Sequence, residues 1–184
     1  RNLSVNRTTD DFEDGNTNGW SPLSGTWAVA SGQYYQTSGT YYTRALFDNS
    51  LTAQDFVFST DVYFNNASAY ASLLGRYIDI DNHYEVRFDP SNDRVSLMRT
   101  KDGDTLILRF VDLLEHPDVA EVINTTAGSN LYRLVMKMDG NKITVLMAHL
   151  DQTNLELINA VKLFEFEDDN PILGAGRMGL RTYY

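Results

Sequence analysis

The stretch YASLLGRYIDIDNHYEVRFDPSNDRVSLMR, residues 70–99, decides the fold. Three apolar runs with β-branched and aromatic content are cut by Asp/Asn-rich tetrads, the signature of antiparallel strands joined by tight turns. If IDIDN closes a hairpin that pairs Ile78 with His83, Arg76 lies opposite Glu85, and Tyr77 and Gly75 lie opposite Tyr84 and Val86. If PSND closes the next turn, Phe88 meets Val95 and Val86 meets Leu97. One face of this meander then carries Tyr77, Tyr84, Val86, Phe88, Val95 and Leu97 and must be core. The other carries Arg76, His83, Glu85, Arg87 and Ser96, a polar face that is either solvated or the floor of a ligand site.

Working outward, the same pattern repeats. The runs GTWAVA, QYYQT, YTRALF, FVFSTDVYF, TLILRF, LYRLVMKM, KITVLMAH, AVKLFEF and RMGLRTYY are short, alternating and bounded by Gly, Asn or Asp. Ser31-Gly32, Asp102-Gly103 and Asp139-Gly140-Asn141 supply turns that accept positive φ. An all-β, two-sheet antiparallel sandwich follows, with one domain over 1–184. Residues 112–130 form the main irregular insertion, with room for a short helical turn.

Composition narrows the function. The 184 residues include no cysteine, so there is no disulfide, no zinc thiolate and no thiol nucleophile, and a chain this long buries enough surface to fold without them. A formal charge of −10 argues against nucleic acid and anionic membranes as partners. No apolar run reaches the roughly 20 residues of a membrane span, and RNLSVNRTTDD lacks the apolar centre of a signal peptide. Asn2, Asn6, Asn66 and Asn124 head Asn-x-Ser/Thr patterns, which arise readily by chance in an Asn/Thr-rich chain.

Motifs for catalysis are sparse. Glycoside hydrolysis needs two carboxylates about 5 Å apart, and the nearest approximations, Asp79 with Asp81 and Glu165 with Glu167, stand at a turn tip and on one strand without a companion element. His83, His116 and His149 are scattered and lack the spacing of a metal site. No Gly-x-Ser-x-Gly elbow occurs.

The order DDFEDGNTNGW, GTWAVASGQYYQ, FVFSTDVYF, ASLLGRYIDIDNHYEVRFD, RVSLMR, LYRLVMKMDGNKITVLM and GAGRMGLRTYY resembles the concanavalin A-like lectin/glucanase jelly rolls. Within them it is similar to levan-binding carbohydrate-binding modules and laminin G-like domains of secreted bacterial glycosidases and polysaccharide lyases. The resemblance implies a jelly roll and an extracellular, bacterial setting. Its partner would be a polysaccharide or oligosaccharide. It also implies packing roles for Trp20 and Trp27, and a closing strand that RNLSV at 1–5 matches. Residues 1–8 are then either a permuted closing strand, completing this sandwich or a tandem neighbour, or a linker. One structural calcium between the N-terminal segment and the last strands would be held by Asp11, Glu13 and Asp168 or Asp169; otherwise these acids form a solvated loop.

Sugar recognition joins aromatic stacking to paired hydrogen bonds from planar charged groups. The candidate ligand contacts are Arg76, Glu85, Arg87 and His83 with the exposed member of each tyrosine pair, Tyr35 and Tyr42. Adjacent positions place one tyrosine of each pair inward and one outward. The function that follows is a non-catalytic carbohydrate-binding, lectin-like module. The alternatives are a structural or adhesive repeat and a small glycosidase or lyase.

Overall fold

The computed structural model describes residues 8–39, 41–47, 51–64, 68–115, 131–150 and 157–183, with the side chains of 149–150 and 157–160 left aside. The expectations for 1–5, for most of the 112–130 insertion, for the four Asn-x-Ser/Thr asparagines and for His116 lie outside those residues. Among these residues thirteen strands form: β1 Trp20–Ser24, β2 Trp27–Ala30, β3 Gln33–Gln36, β4 Thr43–Phe47, β5 Phe56–Tyr63, β6 Tyr70–Asp79, β7 Asn82–Asp89, β8 Arg94–Lys101, β9 Asp104–Asp112, β10 Leu131–Asp139, β11 Lys142–Leu150, β12 Leu157–Glu167 and β13 Arg177–Tyr183. Two 3₁₀ turns, Pro90–Asn92 and Leu113–Glu115, are the helical segments among the described residues, the second opening the insertion.

These strands build an antiparallel sandwich. One sheet has seven strands in the order β1-β4-β13-β6-β7-β8-β9, the other four in the order β12-β11-β10-β5, and β2-β3 form a separate ribbon. The alternation seen in sequence is what closes it. Leu73, Tyr84, Val86, Phe88, Val95 and Leu97 from the large sheet pack against Leu134, Met136, Met138, Ile143, Val145 and Met147 from the small one. Phe88 meets Tyr132 edge-on with ring centroids 5.3 Å apart. Fully burying such a side chain stabilises by roughly 1.5–3 kcal/mol, so this interface supplies most of the driving force. On the far side of the small sheet, Arg133 pairs with Asp61 through two hydrogen bonds of 2.6 and 2.8 Å, an exposed cross-strand pair.

Strand β1 was hidden from sequence reasoning by Pro22, which cannot donate to a ladder. It is tolerated because β1 is an edge strand, bonded among the described residues only to β4, with a bulge between Pro22 and Ser24. The opposite edge, β9, pairs among the described residues only with β8 and exposes Leu106, Ile107 and Phe110.

The β7–β8 register is the expected one, Phe88↔Val95 and Val86↔Leu97. The β6–β7 register is not. Beside the turn Asp79 pairs with Asn82, but further on Gly75 pairs with Tyr84 and Leu74 with Glu85, so β6 holds two extra residues between Gly75 and Asp79. Arg76 takes φ 43° in this bulge, and Gly176 lies so close that a Cβ there would sit 2.4 Å from the Arg76 carbonyl carbon. The bulge turns two side chains over. Tyr77, expected in the core, lies instead with Leu46 and Leu74 in a second apolar cluster and against His83. Arg76, expected opposite Glu85, points between the sheets.

Candidate functional site

The face of the large sheet that turns away from the core is built by alternate residues of four strands. Registers Arg181↔Arg44, Arg181↔Ser72 and Ser72↔Arg87 place these groups in one row across β4, β13, β6 and β7, with Glu85 one step along β7. Glu85 is buried, and a buried carboxylate survives only with partners. It has three. Ser72 Oγ donates to Oε1 at 2.7 Å, Arg87 Nε donates to Oε1 at 3.0 Å, and Arg181 Nη1 donates to Oε2. Burial alone would raise the Glu85 carboxyl, but the Arg181 and Arg87 charges and the Ser72 and Arg87 hydrogen bonds outweigh it and hold the group below the ordinary glutamate range.

Tyrosines lock the guanidinium groups from the side. Arg87 lies 4.2 Å over the Tyr70 ring and Arg181 4.8 Å over the Tyr42 ring. Tyr183 is the hub: it stacks on Tyr70 at 4.8 Å with the planes 5° apart and touches Tyr41 and Tyr42 at 5.1 and 5.2 Å. The expected in/out split of Tyr41 and Tyr42 does not occur. Tyr42 has φ 62°, which breaks the strand alternation, so both rings reach Tyr183 and both stay exposed. Burial pushes the Tyr70 hydroxyl up to about 12, and that oxygen, together with Arg44 Nε, Arg181 Nε and His83 Nδ1, has no hydrogen-bond partner among the described residues.

The structure therefore gathers Glu85, Arg87 and Tyr42 and adds Arg44, Arg181, Ser72, Tyr70 and Tyr183, which sequence reasoning missed. An arginine amid apolar residues in YTRALF and in GLRTYY carried the same signal that singled out Arg76. What was missing was the pairing of β13 between β4 and β6. His83 shares the face but is buried beneath Tyr77, ring centroids 5.3 Å apart; burial, with Arg44 and Arg181 nearby, lowers its pKa against the opposing pull of Glu85. Tyr35 stands apart on the β2–β3 ribbon. It is exposed there, while Tyr34 turns inward to stack on Phe12 and Trp27 at 5.2 and 4.8 Å.

Arg76 is corrected from a ligand contact to a structural staple. Only 1% of its side chain is exposed; Nε donates to Gln54 O at 2.8 Å, Nη1 to Ile172 O at 3.2 Å and Nη2 to Gly140 O, with Asp55 3.5 Å away. The proposed metal ligands do not converge, and no group of three or more His, Cys, Asp or Glu side chains does so among the described residues. Asp168 is buried and occupied, accepting from Tyr84 Oη at 2.7 Å, from the Asn170 amide at 3.0 Å and from Arg99. Asp10, Asp11 and Asp14 each accept from the backbone N–H two residues on, and Asp10 also takes Trp20 Nε1 at 2.8 Å. The acids of DDFED thus shape the turn that brings Phe12 against Trp20, 5.8 Å between rings.

Chemically the cluster offers planar donors fixed in place, exposed aromatic faces and one ionised carboxylate. Among the described residues its hydrogen bonds and ion pairs include no second carboxylate, and an acid held ionised by two arginines is a poor proton donor.

No family model matches the chain, and no curated protein sequence matches it. Among solved structures, the carbohydrate-binding module CBM66 from Bacillus subtilis superposes with a TM-score of 0.67 at 18% identity, over 91% of this chain and 89% of that one. A native glycosidic hydrolase superposes with a TM-score of 0.52 at 9% identity, over 91% of this chain and 78% of that one. At such identities the likeness concerns the fold alone, an antiparallel two-sheet β-sandwich.

Proposed function

We propose that the chain is a non-catalytic carbohydrate-binding module and that it holds its glycan on the Arg44/Arg87/Arg181/Glu85 face beside Tyr41, Tyr42 and Tyr183. The observation that carries this reading is the mutual locking of charged planar groups and exposed tyrosines on one sheet face. Arg87 and Arg181 are held by Glu85 on one side and by Tyr70 and Tyr42 on the other, so their remaining N–H groups meet a ligand's hydroxyls without losing further rotamer freedom. A pyranose or furanose ring presents vicinal hydroxyls on its edge and C–H groups on its face, matching guanidinium forks and tyrosine rings respectively. The likeness to a carbohydrate-binding module supports the same reading. In this view the parent protein is a secreted bacterial polysaccharide-active or surface protein and the module delivers it to the glycan.

Affinity electrophoresis through native gels cast with a panel of neutral and acidic polysaccharides, levan included, tests it. At least one polymer retards the protein, and Tyr42→Ala, a change at an exposed ring, weakens that binding about tenfold, equivalent to about 1.4 kcal/mol. Unaltered mobility in every gel, with flat titration calorimetry, would refute glycan binding.

A further inference from the structure

The charge balance of this face is uneven in a chain that is otherwise acidic. Three guanidinium groups, Arg44, Arg87 and Arg181, surround one carboxylate, Glu85, which leaves a surplus of two positive charges where the whole chain carries −10. Arg87 and Arg181 share Glu85. Arg44 stands directly opposite Arg181 across the β4–β13 ladder, and among the described residues it forms no ion pair. Like charges in directly paired positions oppose each other, and Arg44 is partly buried, so it has lost part of its water shell in exchange for a share of Glu85, a carboxylate already paired with Arg87 and Arg181. Its guanidinium is correspondingly depressed from the ordinary arginine value, by burial first and by Arg181 next, against a weaker opposing pull from Glu85 and the neighbouring tyrosines. A neutral sugar would satisfy some of these N–H groups but would leave the charge surplus untouched. An anion would satisfy both.

Resting on the carbohydrate-binding reading above, we infer that the ligand is an acidic saccharide whose carboxylate, the C6 group of a hexuronate residue, pairs with Arg44 and Arg181, while its ring lies along Tyr42 and Tyr183. A planar carboxylate matches the two-pronged guanidinium fork. The rest of the acidic surface repels a polyuronate, so the positive row fixes where on the protein the chain lies.

The test compares polygalacturonate and alginate with the same polymers after carboxyl reduction, which keeps the sugars and linkages and removes the charge. Retardation by the native polymers, a loss of about tenfold or more on carboxyl reduction, and weakening as salt is raised from about 0.05 to 0.5 M support the inference. Arg44→Gln reproduces the loss, and Arg44→Lys, which keeps the charge, restores part of it; near-identical thermal melts of the two variants establish that both are folded. Equal binding of native and reduced polymers, or binding confined to neutral fructans or to sulfated glycans without uronate, overturns it while leaving glycan binding intact. Binding to none of these or of the wider panel overturns both.

Discussion

Arg76 and His83 are two polar residues that the meander places in the interior, and each has a measurable signature. Replacing Arg76 by Met leaves the carbonyls of Gln54, Ile172 and Gly140 without their donor, and the expected cost is about 3 kcal/mol, or roughly 6–12 °C in melting temperature for a chain of this length. Because Arg76 lies on the core side, Arg76→Met does not change gel retardation at temperatures where the protein is folded. His83 is buried, and burial lowers its folded pKa, so the unfolded chain takes the proton first. Its contribution is therefore present above the ordinary histidine value of about 6.5 and is lost as pH falls below it. Melting temperatures from pH 8 to 5 should show this decline in the natural protein and a flatter profile in His83→Gln. Glu85 and Arg87 were legible in sequence because a strict two-residue period carries them to one face. Arg76 was misplaced because a bulge obeys no period, and nothing in GRYID marks where the extra residues go.

At the scale of elements, β6 is where backbone and packing meet most tightly. A Cβ on Gly75 would come within 2.5 Å of Met136 Sδ and 2.9 Å of the Phe56 ring, so the two sheets approach here only because that side chain is absent. Gly75→Ala should cost about 1–3 kcal/mol by overpacking, read as a lower denaturation midpoint at unchanged slope. Chains of alternating apolar residues between Asp/Asn/Gly turns made twelve of the thirteen strands legible. The exception, WSPLS, carries a proline acceptable only at an edge, and edges are a property of the assembled sheet. Tyr41 and Tyr42 fail in the same way: alternation predicts one ring outward, and the left-handed backbone at Tyr42 delivers two.

At the scale of the whole molecule, two carboxylates are buried among the described residues, Glu85 on the open face and Asp168 at the sandwich end. For Asp168, as for Glu85, burial by itself would raise the carboxyl, and the hydrogen bonds from Tyr84, Asn170 and Arg99 more than reverse it. Both folded pKa values are thus lowered, so the unfolded chain binds more protons in acid. The stability they supply is complete above the unfolded carboxylate values near 4 and drains away as pH falls below them. Denaturant midpoints between pH 6 and 2.5 should fall steeply in the natural protein. Asp168→Asn, which keeps the shape but strands Arg99 beside a neutral partner, should lose about 3 kcal/mol at neutral pH and titrate less in acid. The order in which β13 enters between β4 and β6 was not legible, because it joins strands more than a hundred residues apart and no local pattern encodes it.

The two rims of the large sheet are chemically unlike. On one side Pro22 carries no N–H for an incoming strand and is followed by a bulge, and on the other β9 pairs, among the described residues, with β8 alone and has Leu106, Ile107 and Phe110 exposed along it. Of the two described edges, β1 with its proline and bulge is therefore the poorer template for an added strand, and β9 the better one.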